Sequence, residues 1–460
     1  MSISRIPVYL CALALAVSAV CLFLLPVTGV QAGLARGAGV VVLGIGLWAT
    51  RVVPEHLTSI IFFCVALLFS VAPPEVVFSG FHSGAVWMVF SGLVIGTAAQ
   101  RSGLGDRIAD LTLRYLPTSY LGIVSVLSLI AVILGFLIPS GIGRLAMLIP
   151  FVISLSQRLG FAPGSRGYTG IVLAPSMATI TPCNAILTSN VPELVMAGAA
   201  ESIYGLKLSY LEYLLVNFPV LGIGSLILFT GLVAVLFGER PSPISTSRPP
   251  VKWSPEQRRL LFVMVGAVIL WMTDFLHGIP PAWIGMGAAV FCLLPRAGVL
   301  DAAEMIDGIN YAPWFFVAGV IGLGAVATYS GLGDYVGHSM RDWLQLMPGQ
   351  DGRNYAMTVA MAVAVGFITT TGAMPAVMTP LAGGLAAAAG WNIESVLMAQ
   401  VPGYIFFLLP YQVPPVVLTI ALANLALRPV LRLLFFHFCI GLVLIVPLQF
   451  QWARLLGYVQ

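Results

Sequence analysis

Long apolar runs separated by short polar segments dominate the sequence. Because a helix that crosses a membrane needs about 20 mostly apolar residues, these runs predict membrane spans. The runs occupy residues 7–26, 33–51, 57–73, 84–100, 119–139, 144–158, 168–187, 208–237, 258–276, 281–299, 313–329, 353–369, 375–390, 396–425 and 430–451. We interpret the first run as a retained helix rather than a signal peptide, because it is long and further spans follow.

Two neighbouring pairs of runs are joined by tight turns that contain Gly or Pro. These pairs are 119–139 with 144–158, and 353–369 with 375–390. A tight turn at membrane depth suits a re-entrant helical hairpin, which enters and leaves the membrane on one side. The pattern therefore predicts an all-α integral membrane protein with about eleven transmembrane helices and two re-entrant helical hairpins.

The composition supports a membrane protein. Hydrophobic residues make up 59% of the 460 residues, charged residues only 8%, and the mean hydropathy is +1.00. A soluble domain carries about 25% charged residues, so lipid must cover much of this chain. The sequence has no basic patch interleaved with aromatic residues, and its six cysteines lack metal-ligand spacing. We therefore expect no nucleic-acid partner, no zinc site and no organic cofactor.

Lysine and arginine residues set the expected orientation. With the N-terminus inside and the spans alternating, 15 of the 21 basic residues face the cytoplasm and five face outside. The remaining one, Arg144, lies at the tip of the first hairpin. Because basic residues are enriched in cytoplasmic loops, we expect a multi-pass protein of the cytoplasmic (inner) membrane with its N-terminus inside and its C-terminus outside.

The pentapeptide SGLGD occurs twice, at 102–106 and 330–334. Other residues match at a similar offset, which drifts only from 227 to 232 residues. The matched residues are Trp87 with Trp314, Ser140 with Thr370, Pro150 with Pro380, and Thr181-Pro182-Cys183 with Val413-Pro414-Pro415. Five crossings separate the two pentapeptides, and because five is odd the second copy faces the opposite side. The sequence thus predicts two inverted-topology repeats, at about 40–237 and 258–451, as in many secondary transporters.

Four places in the chain interrupt helices at membrane depth. They are the hairpin tips at 139–144 and 370–375 and the helix breaks at 179–184 and 410–415. Irregular backbone at this depth is tolerated only where it lines a cavity or is buried in protein, so the four places should build one polar site. Freed helix N-termini favour anions, and freed carbonyl groups can bind a cation. The candidate substrate-binding residues are Ser140, Gly141, Arg144, Thr181, Asn184, Thr370, Thr371, Gln412 and Pro414.

Arg144 is the one clear formal charge that the pattern predicts at mid-depth. An arginine inside the membrane costs about 3 kcal/mol and usually has a function. Its guanidinium could pair with a carboxylate or sulfonate in a bidentate fork, or it could instead reach the interface or cap carbonyl groups. No Asp or Glu is predicted deep in a span, since Glu193 and Glu201 fall near predicted ends, and this disfavours proton coupling.

The tips and breaks, with their surroundings, resemble a known family. A hairpin with a Ser or Thr tip, a proline ten residues later and a broken helix with a T-P-P-N-like turn is similar to the divalent anion/sodium symporters of the ion transporter superfamily. The stretch SGLGDRIADLTLRYL after the apolar helix containing Val86 and Trp87 is also typical of that family. The resemblance extends from about residue 40 to the C-terminus. It implies a secondary active transporter of small anions, such as dicarboxylates, tricarboxylates, sulfate or sulfonates, rather than an enzyme.

The resemblance also implies residues that hold Na⁺ as a coupling ion. The family carries a Ser-Asn-Thr motif at each hairpin tip, and the matching positions are Ser140-Gly141-Ile142 and Thr370-Thr371-Gly372. The candidate sodium ligands are Ser140, Gly141, Thr370 and Gly372. The Asn is absent at both tips, and Arg144 lies two residues beyond the first. We therefore hypothesise that one sodium site is lost and that Arg144 neutralises the anion instead.

By the same resemblance, the protein is expected to be a homodimer that works as an elevator within the lipid bilayer. The scaffold would be 1–118 and 251–349, and the moving transport unit would be 119–238 and 350–460. A sodium-independent anion exchanger and a permease for arsenite-like oxyanions stay open as alternatives. A passive channel would need a continuous polar path, and an intramembrane enzyme would need a nucleophile–base pair or paired carboxylates at depth. Neither is evident, because the predicted polar residues cluster at one depth and form no such pair.

Overall fold

The computed structural model describes residues 6–24, 30–50, 52–105, 107–108, 112, 116–242, 253–296, 298–333, 335–336 and 345–459. Regular structure within these residues is helical throughout, and no strand occurs among them. The aspartates that end the two SGLGD pentapeptides, Asp106 and Asp334, lie outside the described residues.

The described helices follow the same order in both halves of the chain. The first half contains α1 (Ile6–Ala19), α2 (Val30–Thr50), α3 (Glu55–Leu68), α4 (Pro74–Val77), α5 (Ser79–His82), α6 (Gly84–Arg101), α7 (Tyr120–Leu137), α8 (Gly141–Arg158), α9 (Arg166–Ala178), α10 (Val191–Tyr204), α11 (Tyr210–Asn217) and α12 (Ile223–Phe237). The second half contains α13 (Pro255–Met272), α14 (Asp274–His277), α15 (Pro281–Leu293), α16 (Ala302–Gly308), α17 (Ala312–Tyr329), α18 (Asp351–Ile368), α19 (Met374–Met378), α20 (Ala382–Ala389), α21 (Ile393–Gln400), α22 (Pro402–Ile405), α23 (Pro414–Leu422), α24 (Leu427–Ile440) and α25 (Val446–Leu455). Short π turns, Phe218–Gly222 and Gly441–Ile445, join α11 to α12 and α24 to α25. Each half therefore ends in one long helix.

Each element of the repeat has a counterpart in the other half. Helices α2, α3 and α6 correspond to α13, α15 and α17, and the short segment α4–α5 corresponds to α16. The two hairpins are α7–α8 in the first half and α18 with α19–α20 in the second. The two broken helices are α9 with α10, and α21–α22 with α23. The hairpins and the broken helices are thus present in both halves in the predicted order.

Helices exchange partners between the halves, as a two-fold relation requires. Helix α3 packs against α17, whereas its counterpart α15 packs against α6, the counterpart of α17. Likewise α8 packs against α23, and α19 packs against α10. Gly103 and Gly331, from the two pentapeptides, both follow a helix end with positive φ angles of 68° and 77°, a conformation that suits glycine. The repeat therefore extends from the pentapeptide to the arrangement of the helices.

Five of the described helices are long and apolar enough to cross a membrane. They are Ala32–Thr50, Tyr120–Leu137, Tyr210–Phe237, Ala312–Tyr329 and Leu427–Leu455. Four shorter apolar helices accompany them, and these are Tyr9–Leu22, Glu55–Leu68, Pro281–Leu293 and Met374–Ala389. The prediction of an all-α, multi-pass membrane protein is confirmed.

Serine residues fix the starts of the helices that form the first hairpin and the first broken helix. The side chains of Ser119, Ser140 and Ser165 each accept a hydrogen bond from the backbone N–H group three residues later. These N–H groups have no partner within the helix, so a side-chain oxygen at the N-cap stabilises the helix start. Ser140, predicted at the first hairpin tip, is therefore the N-cap of α8.

Candidate substrate site

Both hairpin tips and both helix breaks meet at one cavity of about 280 Å³. The first tip contributes Gly141 and Ile142, and the second contributes Thr370, Thr371 and Gly372. The breaks and the half-helices that follow them contribute Ile180, Asn184, Asn190, Val191, Pro192, Val413, Pro414 and Pro415. The four places that the sequence predicts to converge therefore lie together in the structure.

The opposite wall of the cavity belongs to segments predicted as scaffold. It consists of Glu55, His56, Asn310, Ala312, Pro313 and Phe316. A neighbouring cavity of about 210 Å³ shares residues of the first tip with this one and extends to Ser140 and Gln100. Small-molecule sites usually enclose about 300–1,000 Å³, so the two adjoining cavities are of the size that a small organic ligand needs.

Arg144 lies behind the first tip and is completely buried. Its Nη1 atom donates hydrogen bonds to the carbonyl oxygen atoms of Ile138 and Ser189, the latter at 3.1 Å. Its Nη2 atom donates to the carbonyl oxygen of Thr179 at 2.9 Å and to Asn190 Oδ1 at 2.8 Å. The guanidinium thus cross-links the hairpin tip to the helix break, which is the carbonyl-capping alternative. Arg144 is not among the residues that line the cavity.

The first helix break is longer than the predicted one at 179–184. Helix α9 ends at Ala178 and α10 begins at Val191, with a single 3-10 turn, Cys183–Ala185, between them. Helix α10 occupies residues between the predicted apolar runs 168–187 and 208–237, where the sequence analysis places no run. The second half of the broken helix is therefore α10.

Two carboxylates, Glu193 and Glu201, lower the hydropathy of α10, so hydropathy alone does not identify this segment as a helix. Glu193 is fully buried, and its Oε1 atom accepts a hydrogen bond from the backbone N–H of Asn190 at 2.6 Å, which closes a capping box. Glu201 accepts from the backbone N–H of Gly84 at 3.0 Å and so caps α6. Glu193, predicted near the end of a span, lies in the first turn of α10 and is buried beside residues that line the cavity.

Asn190 is a polar cavity residue that the sequence predictions miss. Its side chain bridges Arg144 and Asn184, because Oδ1 accepts from Arg144 and Nδ2 donates to Asn184 Oδ1 at 2.8 Å. Asn184 in turn donates to the carbonyl oxygen of Tyr404, in the second half, at 2.8 Å. A sequence signal was available, since Asn190 is followed three residues later by Glu193, with a proline between them, and this spacing is typical of a helix start.

Gln412 forms the corresponding cross-link in the second half. Its Nε2 atom donates to the carbonyl oxygen of Gly366, near the end of α18, at 2.8 Å. Its Oε1 atom accepts from the backbone N–H groups of Leu408 and Leu409 at 2.9 and 2.8 Å. The backbone N–H of Thr371 donates to the carbonyl oxygen of Gln412 at 2.8 Å. Gln412 therefore ties the second hairpin to the second break and stands behind the cavity lining.

The structure corrects the predicted alignment of the two breaks. Val413 is the N-cap of α23, just as Asn190 is the N-cap of α10, whereas the sequence offset matches Val413 with Thr181. The second break ends at Val413, so Pro414 lies in the first turn of α23 rather than in the break. The hydroxyl of Thr181 donates to the carbonyl oxygen of Met177 at 3.2 Å, which is local bonding within the end of the helix.

Three half-helices direct their N-termini at the cavity. Helices α8, α10 and α23 begin at Gly141, Val191 and Pro414, and all three residues line the cavity. The N-terminus of a helix carries a partial positive charge, and its first N–H groups lack partners within the helix. Pro192 and Pro414 have no N–H group, so α10 and α23 offer fewer hydrogen-bond donors than α8. Together the three termini favour an anion in the cavity.

Six of the nine predicted substrate-binding residues line the two cavities. They are Ser140, Gly141, Asn184, Thr370, Thr371 and Pro414. The other three, Arg144, Thr181 and Gln412, are buried behind this lining. His56, Asn190 and Asn310 also line the first cavity, although the sequence did not single them out. The binding roles of all these residues stay predictions.

The first hairpin tip does not fit the predicted sodium ion. Three carbonyl oxygens and one amide oxygen surround the guanidinium of Arg144, and these are the oxygen donors that a small cation would need. At the second tip, Thr370 Oγ1 accepts from the backbone N–H of Ala373 at 3.3 Å and so caps the turn. The arginine therefore fills the position at the first tip, next to Ser140 and Gly141, at which the resemblance implies sodium.

Two helical repeats whose hairpins and broken helices enclose one cavity at their junction define a membrane transporter of the secondary type. Residues 45–403 match the citrate transporter family (CitMHS). Because this match covers most of the chain, the protein belongs to the citrate transporter family. The predicted relationship to anion transporters of the ion transporter superfamily is confirmed, and so is the prediction that the chain is not an enzyme.

Relatives and a solved structure agree with this assignment. A "membrane protein" of Cupriavidus necator is 27% identical over 271 residues, covering 56% of this chain and 52% of that protein. L-tartrate/succinate antiporters of Shigella dysenteriae and Escherichia coli K12 are 26% identical over 268 residues, covering 53% of this chain and 52% of theirs. The chain thus spans about half the length of the curated relatives it matches. The YdaH transporter of Alcanivorax borkumensis has a similar fold, with a TM-score of 0.56 over 99% of both chains at 14% identity.

Proposed function

We propose that the protein is a secondary carrier that exchanges small di- or tricarboxylate anions across the cytoplasmic membrane. The observation that carries this proposal is the meeting of three half-helix N-termini at one cavity, because partial positive charges at that place favour an anion. The family name refers to citrate, and two relatives are named as L-tartrate/succinate antiporters. Carboxylates are therefore the substrate class to test first.

Arg144 supports exchange without sodium. Its guanidinium is held by oxygen atoms of both the first tip and the first break, beside the residues that line the cavity. A fixed positive charge in a medium of low dielectric constant acts strongly on an anion nearby. We infer that this guanidinium supplies the positive charge that a sodium ion supplies in symporters of the superfamily. Such a carrier needs no sodium to bind its substrate.

The position of the cavity supports an elevator mechanism. The tips and breaks belong to the predicted transport unit, 119–238 and 350–460, and the opposite wall belongs to the predicted scaffold, 1–118 and 251–349. Movement of the transport unit against the scaffold would carry the bound anion from one side to the other. From the family resemblance we also propose a homodimer. From the distribution of basic residues we propose that the N-terminus faces the cytoplasm and the C-terminus faces outside.

Exchange in proteoliposomes tests the function. Vesicles that contain the purified protein are loaded with succinate, and uptake of labelled L-tartrate, citrate or sulfate is measured in sodium chloride and in choline chloride. We expect saturable uptake of at least one carboxylate that requires an anion inside the vesicle. The rate should be the same in both salts.

Three results would contradict the proposal in different ways. Uptake that disappears in choline chloride would show that the carrier is a sodium symporter and that Arg144 does not replace the ion. Uptake that needs no internal anion would show that the carrier is not an obligatory exchanger. A protein that folds, as judged by gel filtration, but moves none of these anions would exclude anion exchange altogether.

A further inference from the structure

The cavity contains little formal positive charge for a substrate that carries two negative ones. Arg144 stands behind the lining, and its two terminal nitrogen atoms are already bound to four oxygen atoms. Among the residues that line the cavity of about 280 Å³, the titratable ones are Glu55 and His56. His56 is therefore the residue in this lining whose side chain carries a positive charge when it is protonated.

His56 occupies a defined position opposite the hairpin tips. It belongs to the first turn of α3, which starts at the cavity beside the start of α17. The two helices run side by side, and the hydroxyl of Ser59 donates to the carbonyl oxygen of Phe316 at 3.4 Å. In the part of the chain that the structure describes, we find no hydrogen-bond partner for the imidazole of His56. Its nitrogen atoms are thus available to a ligand in the cavity.

The residue that corresponds to His56 in the second half of the repeat has a different chemistry. Helix α15 is the counterpart of α3, and it begins with Pro281 and Ala282 where α3 begins with Glu55 and His56. Ala282 has no group that could bind a carboxylate. A transport unit that moves from α3 towards α15 would therefore lose the contact with His56, although His82, Glu201 and Lys207 line a separate cavity beside Ala282.

We propose that His56 is a specificity-determining residue whose imidazolium binds a carboxylate of the substrate while the site lies beside α3. This inference rests on the proposed anion exchange and adds to it a residue, a charge state and a direction. Binding of a dianion from the α3 side should strengthen as the pH on that side falls. On the opposite side Ala282 replaces this histidine, so any pH response there comes from other groups, such as His82, and should not depend on His56.

Few other charged groups can account for such a pH dependence. Glu55 precedes His56 on the same helix and lines the same cavity. Helices α2, α4 and α17 pack against α3, and the titratable side chains in them are Arg36, Glu75 and Tyr329. All three belong to the other end of α3, because α2 runs antiparallel to it, α4 follows its C-terminus and α17 ends beside that C-terminus. The tip and break residues that line the cavity carry no titratable side chain.

Exchange kinetics measured from each side separately test the proposal. Two preparations of proteoliposomes, in which the carrier is inserted in opposite orientations, are supplied with L-tartrate between pH 6 and pH 8. The carboxyl groups of this anion stay ionised over that range, since carboxyl groups usually titrate near pH 4. The wild type is compared with His56→Gln, His56→Asn and His56→Arg, and His277→Gln, on α14 and outside the linings of the described cavities, serves as the matched control.

We expect the wild-type KM on the α3 side to be lower at pH 6 than at pH 8. In His56→Gln and His56→Asn the KM at pH 6 should rise about three- to tenfold, the range for a charge-assisted hydrogen bond that is partly exposed. At pH 8 the same variants should match the wild type. His56→Arg should keep the low KM at both pH values, and His277→Gln should behave as the wild type does.

The possible results separate this proposal from the one on which it rests. Exchange that occurs but shows no pH dependence of KM, or shows one that persists in His56→Gln, would overturn the role of His56 and leave anion exchange intact. A change of KM in His56→Gln that is equal on both sides would overturn the asymmetry. A wild-type protein that exchanges no anion at any pH would instead remove the proposed function, and this inference with it.

Discussion

Single residues cross-link each hairpin to the helix break beside it. In the first half this residue is Arg144, whose guanidinium has four oxygen partners and no exposed surface. In the second half it is Gln412, which uses a neutral amide for the same purpose. A buried carbonyl that loses its donor costs about 1–3 kcal/mol, so each cross-link stabilises its half of the site. Only the first adds a formal charge.

Replacing Arg144 should therefore remove a structural cross-link and a charge together. We expect Arg144→Ala to lower the free energy of unfolding by about 3 kcal/mol or more, because three carbonyl groups lose their donor. L-tartrate exchange should fall at least about tenfold, since displaced groups at a site reduce rates by such factors. Thermal unfolding in detergent and exchange in proteoliposomes measure the two effects.

Two further substitutions control this experiment. Arg144→Lys keeps the charge but cannot reach both pairs of oxygen atoms, so its stability and rate should lie between those of the wild type and Arg144→Ala. Arg432→Ala removes an exposed arginine on α24 and should leave both quantities unchanged. The assignment of the cross-link fails if Arg144→Ala unfolds at the wild-type temperature.

At the scale of whole helices, proline, glycine and apolar runs were enough to predict the hairpins and the existence of the breaks. Ser140 and Thr370 lie at the tips as predicted, because the tight turns between apolar runs are visible in the sequence. The direction of the side chains on the hairpin was not predictable in the same way. Ile142 lines the cavity while Arg144, two residues later, points into the protein, since residues at i and i+2 lie on different faces of a helix.

Hydropathy could not reveal α10 for a related reason. Glu193 and Glu201 lower the hydropathy of the segment below that of the apolar runs. Each carboxylate nevertheless accepts a hydrogen bond from a backbone N–H group at the start of a helix. Such a hydrogen bond lowers the cost of burying a carboxylate, although Glu193 Oε2 has no partner among the residues that the structure describes. The partner of Glu201 is more than a hundred residues away in the sequence, so no local pattern announces it.

The starts of the two hairpin arms provide a matched pair of glycine substitutions. A Cβ atom at Gly141 would overlap Asn190 Oδ1, the atom that binds Arg144. A Cβ atom at Gly372 would lie 3.5 Å from Val191 Cγ1, which is ordinary contact. We expect Gly141→Ala to reduce exchange by about tenfold or more while the protein remains folded, because a displacement of about 1 Å at a site has effects of this size.

Gly372→Ala should retain most of the wild-type rate. Both variants add one methyl group to a hairpin tip at the same cavity, so a difference between them reports the contact with Asn190 rather than the added volume. Equal rates for the two variants would show that the close approach of Gly141 to Asn190 has no part in transport.

At the scale of the molecule, helices of each half pack against helices of the other half. The cavity lies where the hairpins, the helix breaks and the scaffold segments meet. One of the interfaces that an elevator movement must change lies between α6 and the first hairpin tip. A Cβ atom at Gly96 would lie 3.7 Å from Ser140 Cβ, within the range of about 3.5–4.5 Å that a disulfide needs. The interface can therefore be locked by a covalent bond.

We expect the double variant Gly96→Cys/Ser140→Cys, in a background without the six native cysteines, to form this disulfide on mild oxidation. Oxidation should abolish exchange, and a reductant should restore the rate of the unoxidised double variant. The oxidised and reduced forms of one protein are compared, so any direct effect of the substitutions cancels. Full exchange by the oxidised form, with the bond confirmed by mass spectrometry, would mean that the tip does not move against α6.

The guanidinium of Arg144 has one more consequence, for cell physiology. If it serves in place of a dissociable ion, the positive charge that balances the substrate is part of the polypeptide. This charge stays with the protein throughout the transport cycle, whether or not the medium contains salt. Because this charge is not released on the other side of the membrane, it cannot couple net uptake of the substrate to an ion gradient. The cell then gains one nutrient only by giving up another, and its store of the outgoing acid limits how much it can import.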